Sequence, residues 1–115
     1  MKRALNIVVL SILILTMFAA IGCSSTTRIG DILANPAQYE GKEVFIKGTV
    51  GKTTWFAQVG KGIYQLGDGS GNIWIVTTQP TPQKGQSIST RGKVQPAFSI
   101  GGQSYGTVLV ETQRS

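Results

Sequence analysis

The chain has few side chains that could carry out a reaction. Of its 115 residues, one is a cysteine, Cys23, none is a histidine, and five carry carboxylates, namely Asp31, Glu40, Glu43, Asp68 and Glu111. Histidine is the usual general base near neutral pH and the commonest ligand of transition metals. No two carboxylates are placed as an acid–base pair would be. We therefore expect a protein that is not an enzyme and that holds neither a metal nor a cofactor.

Two short patterns approach known ligand motifs but fail on spacing. Gly51–Thr53 reads Gly-Lys-Thr, yet a phosphate loop needs a glycine five residues earlier, where this chain has Ile46. Asp68–Asn72 places oxygen-bearing side chains at alternate positions, as a calcium loop does. The sixth position of such a loop should be glycine and is Ile73. An ordinary loop and an ordinary hairpin turn explain these segments better.

The first residues have the composition of an export signal. Lys2 and Arg3 precede an almost wholly apolar run over residues 7–20, and the small residue Gly22 comes directly before Cys23. A basic start, an apolar stretch and a small-residue junction follow one another in this order in secretory signals. The thiol of Cys23 is also the one nucleophile at this junction that can form a thioether to a diacylglycerol.

Residues 20–23, Ala-Ile-Gly-Cys, resemble the lipobox of bacterial lipoproteins, although Leu is commonest where Ala20 stands. The resemblance implies that residues 1–22 are a cleaved signal peptide. It also implies that diacylglyceryl and acyl groups such as palmitate on Cys23 hold an exported protein in a membrane of the cell envelope. Ser24, rather than Asp, favours the outer membrane if the host has one. The alternative is an uncleaved anchor, but the apolar run is short for a spanning helix of about 20 residues.

The charge of the chain is positive but dispersed. The full chain has 11 basic and five acidic residues. Removal of Lys2 and Arg3 with a signal peptide leaves nine basic residues and a formal side-chain charge of +4. The remaining basic residues are scattered along the chain, whereas nucleic-acid footprints are usually clustered. We interpret the charge mainly as a contribution to solubility.

The mature part of the chain has the pattern of a small β domain. A polar tether over residues 23–28 leads into a short helix over 29–35, which Pro36 ends, since the residue before proline avoids the helical region. Alternation of apolar and polar residues then predicts five strands. Gly48 predicts a bulge or a sharp bend in the first of them. Residues 79–85 and 96–102 are predicted to be loops, and Gly101-Gly102 is predicted to form a turn. The strands are predicted at 43–50 (with 55–59 as an extension or a covering arm), 62–67, 72–78, 86–94 and 105–112.

These elements resemble a small bacterial OB-fold domain, a five-stranded Greek-key barrel. The resemblance rests on three segments: Ile32 to Val50 with its Asn-Pro, Gly-Lys and glycine-bent strand; Tyr64 to Val76 with Leu-x-Asp-x-x-Gly-x-Ile; and Gly85 to Val94. It implies a mainly β, OB-fold-like barrel domain over residues 29–115 with a short N-terminal helix. Residues 79–84 depart from the pattern, because they are too short and proline-rich for the helix that often follows the third strand.

One face of the predicted barrel is the candidate binding surface. If Tyr64, Leu66 and the isoleucines beside Trp74 point inward, the intervening residues of strands two and three point outward. The candidate face then comprises Ile63, Gln65, Trp74, Val76 and Thr78, with Lys47, Lys61 and Arg91 as charge partners. Exposed Trp74 could stack on a base, a sugar ring or another flat ligand. The alternative is that Trp74 packs under the Trp55 arm or the loop over 95–104.

Three functions remain open from the sequence. The first is a membrane-anchored, non-catalytic binding module for an envelope protein or a small ligand. The second is a nucleic-acid-binding OB-fold protein. Nucleic acid is the less expected partner, because basic residues are sparse on the candidate face and the protein is expected to be exported. The third is an envelope structural or assembly factor that acts through a sheet edge.

Overall fold

The computed structural model describes residues 25–115. The predicted signal peptide, Cys23 and Ser24 therefore lie outside the described residues. No helix among residues 25–115 is long and apolar enough to cross a membrane. Two short helices precede five strands: α1 (Ile29–Ala34), α2 (Pro36–Tyr39), β1 (Glu43–Phe56), β2 (Lys61–Gly67), β3 (Asn72–Thr77), β4 (Ser87–Ile100) and β5 (Gln103–Arg114).

The five strands form a closed barrel in the order β1-β2-β3-β5-β4. The β3–β5 pair is parallel and the other pairs are antiparallel. β1 closes the barrel because its first half pairs with β4 and its second half with β2. The domain is thus mainly β with the architecture of an OB-fold-like barrel, which confirms the predicted fold class.

Strand β4 is longer than the sequence indicated, and β1 runs on to Phe56, into the segment that the sequence offered as its extension. The predicted loop over 96–102 is wrong, because β4 continues through Pro96 to Ile100 and pairs with β5 up to the turn at Gly101-Gly102. An irregularity between Gln95 and Phe98 absorbs the proline, and Ala97 there has a φ of 56°. Proline lacks an amide donor, so a strand tolerates it at a bulge. The turn at Gly101-Gly102 is as predicted.

The barrel interior is filled by aliphatic side chains. The alternating inward residues of β1 to β5 meet Ile29 and Ile32 of α1, and Tyr39 packs against the same cluster. A Cβ on Gly48 would collide with the carbonyl oxygen of Gly67, so this glycine permits a close approach of β1 and β2. Of the two alternatives at Gly48, the bulge is not found there, because the register shift of β1 lies between Val50 and Thr53.

A buried polar network lies between β2, β3, β4 and β5. The side chain of Glu111 is 2% exposed and accepts hydrogen bonds from the hydroxyls of Tyr64, Thr77 (2.8 Å) and Thr90 (2.7 Å). Arg114 forms an ion pair with it at 3.2 Å. Burial, and then the Glu111 carboxylate, raise the pKa of Tyr64 far above its ordinary value, so the phenol remains a donor. A buried carboxylate needs such partners to offset its desolvation.

The segment before α1 is fixed to the barrel. The amide of Thr27 donates to the carbonyl of Phe45 at 2.7 Å. In the β2–β3 turn, Asp68 accepts from the amide of Ile29 and Ser70 from the amide of Gly30, both at 2.9 Å. Desolvation alone would raise the pKa of Asp68, but hydrogen bonds from Ile29 and the turn outweigh it and hold this pKa below its usual value.

Candidate binding face and cleft

The outer surface of β2 and β3 has the orientation that the sequence predicted. Gln65 lies opposite Trp74, and Ile63 lies opposite Val76, on the side of the strands away from the barrel interior. The face is not open, however. Ile63 is only 1% exposed and Val76 only 3%. The expectation that these two side chains are available to a ligand is wrong, because the distal part of the β4–β5 hairpin folds over them.

The contacts beneath this hairpin form a cluster rich in aromatic side chains. Trp74 meets Tyr105 edge to face, with ring centroids 5.3 Å apart and an interplanar angle of 72°. Trp74 is half-buried in the same cluster as Phe98 and Ile100, which agrees with the alternative that it packs beneath the 95–104 segment, although its ring partner Tyr105 lies just beyond that segment. We call the whole set of these residues the aromatic cluster. Its buried centre is Ile63, Val76 and Val108, and the partly buried side chains packed around them are Phe56, Trp74, Phe98, Ile100, Tyr105 and Val110.

Glycines allow the hairpin to bend back over the face. Gly106 has a φ of 69°, and both residues of the turn, Gly101 and Gly102, also have positive φ, which glycine adopts without steric cost. A Cβ on Gly101 would lie 2.7 Å from the ring of Phe56. The tips of the β1–β2 and β4–β5 hairpins thus touch at this point.

A cleft of about 360 Å³ lies between the two tips, and we call it the tip cleft. Trp55 is 45% exposed and Val59 is 56% exposed, so apolar surface is open here. The sequence did not indicate Val59 or Ile100 as site residues, because their segments gave no strong strand pattern. The lining residues are Trp55, Phe56, Ala57, Gln58, Val59, Ile100 and Gly101.

The polar residues of the predicted face are dispersed. Lys61 lies opposite Phe56 on the rim of the aromatic cluster. Thr78 lines a separate pocket with Trp55 and Thr81. Lys47 and Arg91 are on the outer face of β1 and β4, where Arg91 pairs with Glu43 at 3.6 Å.

The chemistry available at the cluster and cleft is stacking and apolar contact. Within residues 25–115, no group of three or more His, Cys, Asp or Glu side chains could hold a metal ion. Aromatic rings with a nearby lysine suit a ligand with flat rings and negative charge.

Comparisons with known proteins identify the fold alone. No protein-family model and no curated protein matches the chain. Its structure is similar to asparaginyl-tRNA synthetase from Pyrococcus horikoshii in complex with asparaginyl-adenylate, with a TM-score of 0.64 and 15% identity over 79% of this chain and 22% of that one. It is also similar to a putative aspartyl-tRNA synthetase from Leishmania major Friedlin, with a TM-score of 0.58 and 17% identity over 78% of this chain and 20% of that one. The chain thus spans about a fifth of either enzyme's length.

Proposed function

We propose that the described domain is a non-catalytic binding module whose ligand contacts the tip cleft and the aromatic cluster. The observation that carries the proposal is the exposed apolar surface at the cleft, where Trp55 and Val59 remain about half exposed beside Phe56. OB-fold domains bind ligands on strands two and three and on the loops joining strands one to two and four to five. The cleft and the cluster occupy those places in this barrel.

Single-stranded nucleic acid is the ligand class that the comparisons favour. Both solved structures named above are described as tRNA synthetases, the second as a putative one. Aromatic side chains next to basic ones bind unpaired bases and their phosphates, and each stacked base contributes about 1–3 kcal/mol. Phe56 in the cleft, with Lys61 directly opposite, supplies one such combination. This ligand class was the less expected one from the sequence, since the basic residues are not clustered.

We also retain the proposal that the module is a lipoprotein anchored through Cys23. Its support is the sequence order of Lys2 and Arg3, the apolar run and the Gly22-Cys23 junction. Such a module would meet its ligand outside the cytoplasm, and an envelope protein or a small molecule is then the second candidate for the tip cleft. The mass of the mature N-terminal peptide tests the anchor, since a free Cys23 thiol or an intact Met1 start would contradict it.

A pair of matched variants tests the binding surface. Phe45 and Phe56 are both half-buried on β1, but Phe56 lines the tip cleft and Phe45 lies on the outer face of the β1–β4 pair. We expect Phe56→Ala to weaken oligonucleotide binding about tenfold, and Phe45→Ala to leave it within about twofold. Fluorescence anisotropy of labelled single-stranded oligonucleotides at several salt concentrations measures both.

The results separate the candidates. Affinity that falls with salt, and falls further in Phe56→Ala, supports nucleic acid as the ligand. Equal losses in the two variants would place the ligand elsewhere on the barrel. If no oligonucleotide binds the folded chain, nucleic acid is excluded, and the cleft is then tested by recovery of envelope proteins with each variant.

A further inference from the structure

Basic side chains outnumber acidic ones on the outer face of β1 and β4. On the outer face of β1 and β4, Lys47, Arg91 and Lys93 outnumber Glu43. Asp68 of the β2–β3 turn lies near one edge of this face, because it lines a pocket together with Lys47. Among residues 25–115, Arg91 pairs with Glu43 and Arg28 with Asp31, whereas neither Lys47 nor Lys93 forms an ion pair.

The N-terminal segment meets the barrel beside the basic face. The Thr27 amide bonds to the carbonyl of Phe45, and the Phe45 side chain lies on that face, opposite Arg91, whose guanidinium is 5.5 Å from the ring centre. The amides of Ile29 and Gly30 are then held by the β2–β3 turn. These contacts fix the direction in which the chain leaves the barrel.

The remaining reach to Cys23 is short. Cys23 is four residues before Thr27, so the two Cα atoms are at most about 14 Å apart even in a fully extended chain. If Cys23 is acylated, this part of β1 is held near the lipid headgroups. Electrostatic forces act over about 8–10 Å at physiological salt, so charges beside Phe45 are close enough to respond to a charged membrane surface.

We propose that the outer face of β1 and β4, with Lys47, Arg91 and Lys93, rests on anionic phospholipid headgroups. The proposal depends on the lipid anchor at Cys23 that is proposed above. Charge complementarity selects this face, because its three basic side chains outnumber the two nearby carboxylates, Glu43 and Asp68, and anionic headgroups attract basic residues close to the membrane. The tip cleft is at the opposite end of β1 from Phe45, so docking leaves it open to a ligand.

Lysine reactivity tests the orientation. The protein is purified from the membranes of cells that make it and reconstituted in vesicles of phosphatidylcholine, with or without phosphatidylglycerol. An amine-reactive reagent and peptide mass mapping then compare Lys47 and Lys93 with Lys52 and Lys61. We expect Lys47 and Lys93 to react about fivefold more slowly when phosphatidylglycerol is present, and high salt to remove this protection. Lys52 and Lys61 should react at the same rate in both vesicles.

A matched pair of variants adds a second test. Arg91→Gln should reduce the protection of Lys47 and Lys93, whereas Lys61→Gln, with the same loss of charge, should not. Equal protection of all these lysines, protection of Lys52 alone, or no dependence on phosphatidylglycerol would overturn the proposed orientation. The mass of the N-terminal peptide in the same sample reports separately on the lipid anchor, so failure of the anchor and failure of the docking face are distinguishable.

Discussion

The two apolar clusters of this domain differ in composition and in how they are closed. The barrel interior is almost wholly aliphatic and receives side chains from α1 and every strand. The aromatic cluster lies outside the barrel wall, and its half-buried rings include Trp74, Phe98 and Tyr105. The interior is enclosed by paired strands, whereas the cluster is covered by the distal part of one hairpin. This difference suggests that the interior maintains the fold and that the cluster can open for a ligand.

The largest expected loss of stability follows from a substitution in the barrel interior. Ile75 is fully buried on β3, so Ile75→Ala removes apolar contacts and leaves a cavity. We expect the free energy of unfolding to fall by about 3 kcal/mol. Urea unfolding followed by circular dichroism measures it. If this variant lost less stability than Phe98→Ala in the aromatic cluster, the proposed division between the two clusters would be wrong.

The next largest loss of stability is expected from a substitution in the polar network around Glu111. Tyr64→Phe removes one hydrogen bond to Glu111 while Thr77, Thr90 and Arg114 remain in place. Because the acceptor is a buried carboxylate, we expect a loss of about 2 kcal/mol in urea unfolding. Tyr39→Phe is the control, since the Tyr39 hydroxyl bonds to none of the described side chains. Equal losses in the two variants would show that the network adds no stability.

A substitution in the aromatic cluster is expected to lower stability less, but to make Trp74 more accessible to solvent. Phe98 is half-buried on the part of β4 that folds over the face. We expect Phe98→Ala to cost roughly 1 kcal/mol and to increase iodide quenching of Trp74. A Trp55→Phe background makes Trp74 the only tryptophan, so its fluorescence can be measured alone. Unchanged quenching would show that the hairpin does not control access to Trp74.

The sequence predicted the interior better than the exterior, for a physical reason. The inward positions of Tyr64, Leu66 and Ile75 follow from the two-residue period of a strand. The cover over Ile63 and Val76 depends on Pro96 and Ala97 continuing β4, which a local pattern does not show because proline usually interrupts a strand. The tip cleft was missed for a related reason, since it exists only where two distant hairpins meet. The predicted lipid attachment at Cys23 stays a prediction, because it lies outside the described residues.

The smallest expected effect is the pH dependence of the clamp between α1 and the β2–β3 turn. Since the pKa of Asp68 is lower in the folded chain, its contribution is present above the unfolded value of about 3.9 and is lost as pH falls through the folded value. We therefore expect the wild-type chain to lose more stability than Asp68→Asn between about pH 6 and about pH 3. Urea unfolding at several pH values compares them. Identical pH slopes would show that the carboxylate contributes nothing.

The most direct test of the proposed binding surface uses Trp74 as its reporter. The Trp55→Phe chain is titrated with a single-stranded oligonucleotide while Trp74 emission is recorded. We predict a saturable change in emission, with a midpoint that rises as salt is added. No change in tryptophan emission at any oligonucleotide concentration, in either this variant or the wild-type chain and with both folded by circular dichroism, would contradict the proposal that this face binds nucleic acid.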